Sequence, residues 1–142
     1  MTAQVFIDGE HGTTGLQIRT RLEGRSDVQL MSLAQEDRRN VDMRREMLND
    51  ADLVILCLPD DAARDSVAMI KNPKVKVIDA STAHRVADGW IYGMPEYDGE
   101  QRGKIAEATR VSNPGCYAIA AIGLMHPLVE RGILPADFPT TI

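Results

Sequence analysis

The sequence predicts an α/β domain built on a doubly wound, mostly parallel sheet. Three observations carry that expectation. Short apolar runs alternate with amphipathic stretches at the spacing of strand–helix–strand units. One run, Asp52-Leu53-Val54-Ile55-Leu56-Cys57-Leu58, is apolar without alternation, as in a strand buried on both faces. A glycine-spaced turn, Gly9 to Gly15, stands between the first strand and the first helix.

Taken in order, Ala3 to Asp8 reads as the first buried strand, and a helix follows the turn over Leu16 to Leu22. Val28 to Leu33 is the second strand. Met43 to Leu48 is helical, because Met43, Met47 and Leu48 share a face. The run from Asp52 is the third strand, ended by Pro59. A helix follows, capped by Asp60 or Asp61, with Ala63, Val67 and Ile70 turned inward. Val75 to Asp79 is the next strand, and residues from Ser81 to Gly103 read as irregular. Ala108 to Ser112 is a further strand, closed by Asn113-Pro114-Gly115. A long apolar helix then runs from about Cys116 through the Pro127 region to Arg131. In such sheets ligands bind at the carboxyl ends of the strands, where every motif of this chain falls.

Composition narrows the function classes. A length of 142 residues fits one domain with a core, and 44% hydrophobic and 26% charged residues are ordinary for a soluble globular chain. With 4% aromatic residues, a stacking platform for single-stranded nucleic acid is not expected. A net charge of -5 with dispersed bases argues against a nucleic-acid partner altogether. No run reaches the roughly 18 apolar residues of a membrane span, and Met1 to Asp8 lacks the features of a signal peptide. A cytoplasmic protein without a membrane partner is expected. The two cysteines, Cys57 and Cys116, suit neither a disulfide framework nor a zinc site, so no metal is expected.

The turn Gly9-Glu10-His11-Gly12-Thr13-Thr14-Gly15 is one residue longer than the usual dinucleotide fingerprint. Gly12 and Gly15 keep the distance of its second and third glycines. Gly12 lets backbone approach a pyrophosphate, and Gly15 lets the helix pack closely on the sheet. The helix N-terminus offers N–H groups and a positive dipole end, to which Thr13 and Thr14 add hydroxyls. The alternative is a tight turn that only joins strand to helix. This placement makes a Rossmann-like dinucleotide domain the better expectation. An NAD site usually has an acid about 20 residues beyond the turn. Here the second strand ends Met31-Ser32-Leu33, and Arg38 and Arg39 follow. Arginine grips a 2′-phosphate with two hydrogen bonds, so NADP is the expected cofactor, with Ser32 and Arg38 at its adenosine end. The alternative pairs Arg38 and Arg39 with Glu36 and Asp37 on a solvated loop.

Val111-Ser112-Asn113-Pro114-Gly115-Cys116-Tyr117 places a cysteine at a strand's carboxyl end and a helix's start. A helix N-terminus stabilises a thiolate. Gly115 leaves room beside the sulfur, and the turn exposes N–H groups suited to an oxyanion. A thiolate beside a nicotinamide site suggests acyl transfer followed by hydride transfer. Cys57, inside an apolar run, reads as structural. His11, His84 and His126 are not placed beside Cys116 by the sequence, so no acid–base partner is assigned within the chain.

Five segments occur together in order: the glycine turn, Cys57-Leu58-Pro59, Ile78-Asp79-Ala80-Ser81, Tyr92-Gly93-Met94-Pro95-Glu96, and Ser112-Asn113-Pro114-Gly115-Cys116-Tyr117. They resemble the N-acetyl-gamma-glutamyl-phosphate reductases of arginine biosynthesis, in the shorter of that family's two sequence types. The resemblance implies that Cys116 attacks the acyl phosphate, expels phosphate and forms a thioester, which NADPH reduces to the semialdehyde. It implies that Leu58, Pro59 and Ser81 line the cofactor site. It places Arg85, with Asn113 and Gly115, on the substrate, although Ala80-Ser81-Thr82-Ala83-His84-Arg85 departs from the longer type's Ser-Ala-Asp-Phe-Arg wording. It also implies that residues 1–142 are the NADP-binding domain, ending just after the nucleophile helix. A second α+β domain, absent from this chain, would supply the acid–base histidine and the contacts of a homo-oligomer. The fragment alone is then expected to be inactive.

Aspartate-semialdehyde dehydrogenase is the nearest rival, but its nucleophile follows Asn directly, whereas Pro114-Gly115 intervene here. A reductase of a carrier-bound aminoadipyl or glutamyl phosphate is a rival within the family. A rival of another class is a non-catalytic NADP-binding module, which would keep the three glycines and need no reactive Cys116.

Overall fold

Alternation along the first strand decides how the core is divided. In the computed structural model, which describes residues 2–141, β1 spans Ala3–Asp8. Val5 and Ile7 point to one face of the sheet and Phe6 to the other. The helix α1 (Thr13–Leu22) covers the Val5 face through Ile18 and Leu22, joined there by Ile55. On the opposite face Phe6, Val54, Leu56 and Val77 pack with Leu48 of α2 (Val41–Asp50) and Ala63 of α3 (Asp60–Met69). Helices on both faces make the domain doubly wound, as the sequence predicts.

The strands β2 (Val28–Met31), β3 (Leu53–Leu56), β4 (Lys76–Asp79), β5 (Ile91–Tyr92) and β6 (Arg110–Ser112) complete one six-stranded sheet in the order β2-β1-β3-β4-β6-β5. Every pairing in it is parallel. The chain leaves β1 for one neighbour, β2, and returns past it to the other, β3. The switch point of the sheet therefore lies at the carboxyl ends of β1 and β3.

Hydrogen bonding continues beyond the strands along this edge. Cys57 donates its N–H to Asp8, Ala80 to Leu56, Asn113 to Asp79 and Gly93 to Ser112. Residues far apart in sequence are thus set in one row.

Several expectations shift. Strands β2 and β3 end before their apolar runs do, because loops leave the sheet early, and β4 starts one residue late, at Lys76. α1 begins at Thr13, so Thr13, Thr14 and Gly15 form its first turn. Neither Asp60 nor Asp61 caps α3: Pro59 holds the cap position and both acids lie in the first turn. The Asp60 carboxylate instead accepts bonds from the Thr82 N–H and hydroxyl. The stretch from Ser81 to Gly103 is not wholly irregular, since it holds β5 and the start of α4 (Gln101–Glu107).

The helix α5 (Cys116–Glu130) contrasts with the others. It has no buried residue, and Tyr117, Leu124 and Leu128 are exposed. No helix among the described residues is long and apolar enough to cross a membrane.

Candidate functional site

The glycine turn is fixed by backbone packing. Gly9 has φ +91, and a Cβ there would lie 2.4 Å from the carbonyl oxygen of Cys57. A Cβ on Gly15 would lie 2.3 Å from the carbonyl oxygen of Gly9 and 2.7 Å from the Cα of Glu10. Gly15 therefore packs α1 onto the turn itself, a refinement of the expected helix–sheet role. Gly12 stands at the N-cap of α1, extended and without a side-chain cap. A Cβ added to it would meet only the Gly9 carbonyl oxygen, at 3.4 Å. The first N–H groups of α1 thus face an open cradle, which fits a phosphate.

Beside the turn lies a cleft of about 280 Å³. It brings Gly9 and Gly12 together with Arg38 and Leu58, and adds Glu10, His11, Arg39 and Arg44. The charges there divide into two kinds. Arg44 donates to Asp8 Oδ2 at 2.9 Å and to Ser66 Oγ at 2.9 Å, while Ser66 donates to the same Asp8 oxygen at 2.8 Å. The buried Glu10 carboxylate receives Arg19 Nη1 at 2.7 Å and Ser32 Oγ at 2.9 Å. These carboxylates are compensated. Arg38 and Arg39 are exposed and make no ion pair among the described residues; the expected alternative, pairing with Glu36 and Asp37, does not occur.

At the end of β4 the fully buried Asp79 organises the loop. Its Oδ1 accepts the Ser81 N–H at 2.9 Å, and its Oδ2 accepts Ser81 Oγ at 2.7 Å and lies 2.6 Å from His84 Nδ1. His84 stacks on Trp90 with centroids 4.2 Å apart. The Ser81 hydroxyl is thus held by the fold, and Pro59 is committed to starting α3. The Asp60 carboxyl sits below its ordinary range, chiefly because Thr82 donates a hydroxyl bond to it.

Cys116 is exposed at the N-terminus of α5, after an extended Gly115 with no side-chain cap. Arg85 lies against that glycine: a Cβ on Gly115 would be 2.8 Å from Arg85 Nη1. Arg85 Nε is buried and has no hydrogen-bond partner among the described residues. Asn113, Ala80 and Ile78 share a depression with Thr14 of α1, so the two glycine turns approach the same part of the sheet. Cys57 is half-buried, and its thiol is pushed up to about 11 by burial and by the Asp79 and Asp8 carboxylates. A neutral thiol there matches its structural assignment. The His126 ring lies tilted against Tyr97, with centroids 4.4 Å apart, and His11 lies 3.8 Å from Glu10, so both are engaged away from Cys116.

Sequence reasoning missed Glu10, Arg44 and the Asp79–His84 pair. An acid one residue after Gly9 was the only local sign of the first. The other two depend on contacts across strands.

Residues 4–105 match the family described as Semialdehyde dehydrogenase, NAD binding domain. Curated relatives include N-acetyl-gamma-glutamyl-phosphate reductase 2 of Pseudomonas putida, 59% identical over 99% of this chain and 45% of its own length. The N-acetyl-gamma-glutamyl-phosphate reductase of a Chelativorans species is 60% identical over all of this chain and 46% of its own length. The chain thus spans about half the length of the curated relatives it matches. Among solved structures, an aspartate semialdehyde dehydrogenase with NADP from Candida albicans superposes with a TM-score of 0.65 at 13% identity, covering 92% of this chain and 48% of that one. The enzyme from Francisella tularensis gives 0.63 at 12% identity over 92% and 42%. At such identities the likeness concerns the fold.

Proposed function

Because the chain belongs to the semialdehyde dehydrogenase NAD-binding domain family, we propose that it is the NADP-binding, nucleophile-bearing part of an N-acetyl-gamma-glutamyl-phosphate reductase. One observation carries the cofactor choice. Of the charges lining the cleft beside the glycine turn, Arg38 and Arg39 are the cations left without a carboxylate. A 2′-phosphate is the part of NADP that would use them.

The cradle at Gly12 would receive the pyrophosphate through the N–H groups of Thr13, Thr14 and Gly15, with Ser32, Arg38 and Leu58 at the adenosine end. Pro59 and Ser81 shape the site's floor by fixing α3 and the loop after β4. The thiol of Cys116 would attack the acyl carbonyl; the carbon–sulfur bond forms as the bond to phosphate breaks, leaving a thioester. Backbone N–H groups at the start of α5 would receive the oxyanion, since nothing caps them. Arg85, lying against Gly115, would hold an anionic part of the substrate, and Asn113 would position it. When bound, the dinucleotide supplies the hydride that takes the acyl group to the aldehyde. The acid–base histidine and the subunit contacts of a homo-oligomer belong, in this proposal, to a second domain outside the chain. The whole enzyme would work in the cytoplasm. The aspartate-semialdehyde reading is less favoured, because Pro114-Gly115 separate Asn113 from the thiol.

Titration of the chain with NADPH and NADH tests the cofactor half. Tighter NADPH binding that falls to the NADH level in Arg38→Ala is expected; equal binding of both by the unaltered chain would overturn the NADP assignment. In the full-length enzyme, Cys116→Ser should abolish reduction and keep dinucleotide binding. Retained turnover would remove Cys116 as the nucleophile.

A further inference from the structure

We propose that Arg19 and Glu10 form a charge pair that sets the choice between NADP and NAD, an assignment that rests on the dinucleotide site proposed above. Glu10 belongs to the glycine turn and lines the cleft, yet it is only 6% exposed. Its Oε2 is bonded to the hydroxyl of Ser32, the first residue after β2. In doubly wound sheets that strand end meets the adenosine ribose, where an acid accepts a bond from the 2′-hydroxyl of NAD and repels the 2′-phosphate of NADP. The turn therefore delivers, from the neighbouring strand, the carboxylate that β2 itself lacks.

Arg19 decides the consequence. Its Nη1 lies 2.7 Å from Glu10 Oε2, and its Nε is held 2.9 Å from Glu23 Oε1, one helical turn along α1. With the guanidinium fixed between the two acids, the Glu10 charge is compensated and the balance at the cleft stays with Arg38 and Arg39. Without Arg19, a nearly buried carboxylate would keep the Ser32 hydroxyl but lose its guanidinium counter-ion at the ribose position. His11, with Nε2 at 3.8 Å from Oε1, is the other basic group near it. Arg19 is thus a specificity residue that acts through Glu10.

Four proteins test this: the unaltered chain, Arg19→Met, Glu10→Gln and the double variant, each titrated with NADPH and NADH after its fold is checked by circular dichroism. Arg19→Met should weaken NADPH binding by about tenfold and leave NADH binding unchanged or tighter. The double variant should recover NADPH affinity to within about threefold of the unaltered chain, because the repelling charge is gone with its counter-ion. Glu10→Gln alone should raise the NADPH to NADH affinity ratio, and it carries the test if Arg19→Met does not fold. An unchanged ratio in either single variant, or a double variant no better than Arg19→Met, overturns the proposal. If the unaltered chain prefers NADPH and the variants do not shift that preference, this inference alone fails. If it binds neither dinucleotide, the site proposal falls and this inference with it.

Discussion

The turns that open α1 and α5 use the same backbone device for different ends. In each, a strand ends, a glycine takes the N-cap in an extended conformation, and no side chain caps the helix: Gly12 at φ -76 and ψ 164, Gly115 at φ -83 and ψ 156. Around Gly12 the device is locked by backbone, with Gly9 against Cys57 and Gly15 against Gly9. Around Gly115 it is bounded by one side chain, the guanidinium of Arg85. The helices follow suit: α1 presses Ile18 and Leu22 onto the core and buries Gly15, while α5 has no fully buried residue. A rigid cradle suits a bound phosphate, and an open one leaves a thiol accessible.

The largest test of that contrast is Gly15→Ala. Its methyl would overlap backbone that cannot rotate away, so a loss of about 3 kcal/mol in denaturant unfolding is expected. A loss near zero would mean the turn is not locked. Packing comes next. Ile18→Ala should cost about 2 kcal/mol, because its side chain meets Val5, Ile7 and Ile55. Leu124→Ala, at a residue 72% exposed, should change stability by less than about 0.5 kcal/mol. Equal losses would erase the difference between the helices. Gly115→Ala should cost under about 1 kcal/mol, since the far end of Arg85 can move. It should still lower turnover in the full-length enzyme by displacing that guanidinium.

The thiols give the sharpest chemical contrast. Alkylation at pH 8 followed by mass spectrometry should label the exposed Cys116 and spare Cys57. Burial raises the Cys57 thiol from its ordinary 9.0 to about 11. The fold therefore prefers the neutral thiol. That stability is fully present below pH 9.0 and is lost as the pH rises toward 11. Early labelling of Cys57 would contradict its burial.

Much of the fold was legible because β1, β3 and β4 are apolar runs and the turns carry glycine or proline. β5 was not, since two residues, Ile91–Tyr92, gain strand character only from pairing with Val111 and Ser112. The cap of α3 was misread because Asp60 had two uses, and Thr82, 22 residues away, claims its carboxylate. Gly9 and Gly12 were legible because their turn is a local motif, whereas Arg38 and Leu58 join them in one cleft only through the sheet. Ser81 and Pro59 were found at the right edge, but the fold employs their groups itself.

By itself, the sequence determined the order of the longer strands and helices, without β5 and α4, together with the two glycine turns and the cysteine that follows the second. These are properties of neighbouring residues: periodicity, φ freedom and helix starts act over a few positions. The tertiary structure decided which charges are compensated. Asp8 meets Arg44 and Ser66, and Glu10 meets Arg19 and Ser32, only because the helices α1, α2 and α3 pack beside the ends of β1 and β2. Pattern along a chain cannot report such meetings, since electrostatic compensation depends on distance in space and not on separation in sequence.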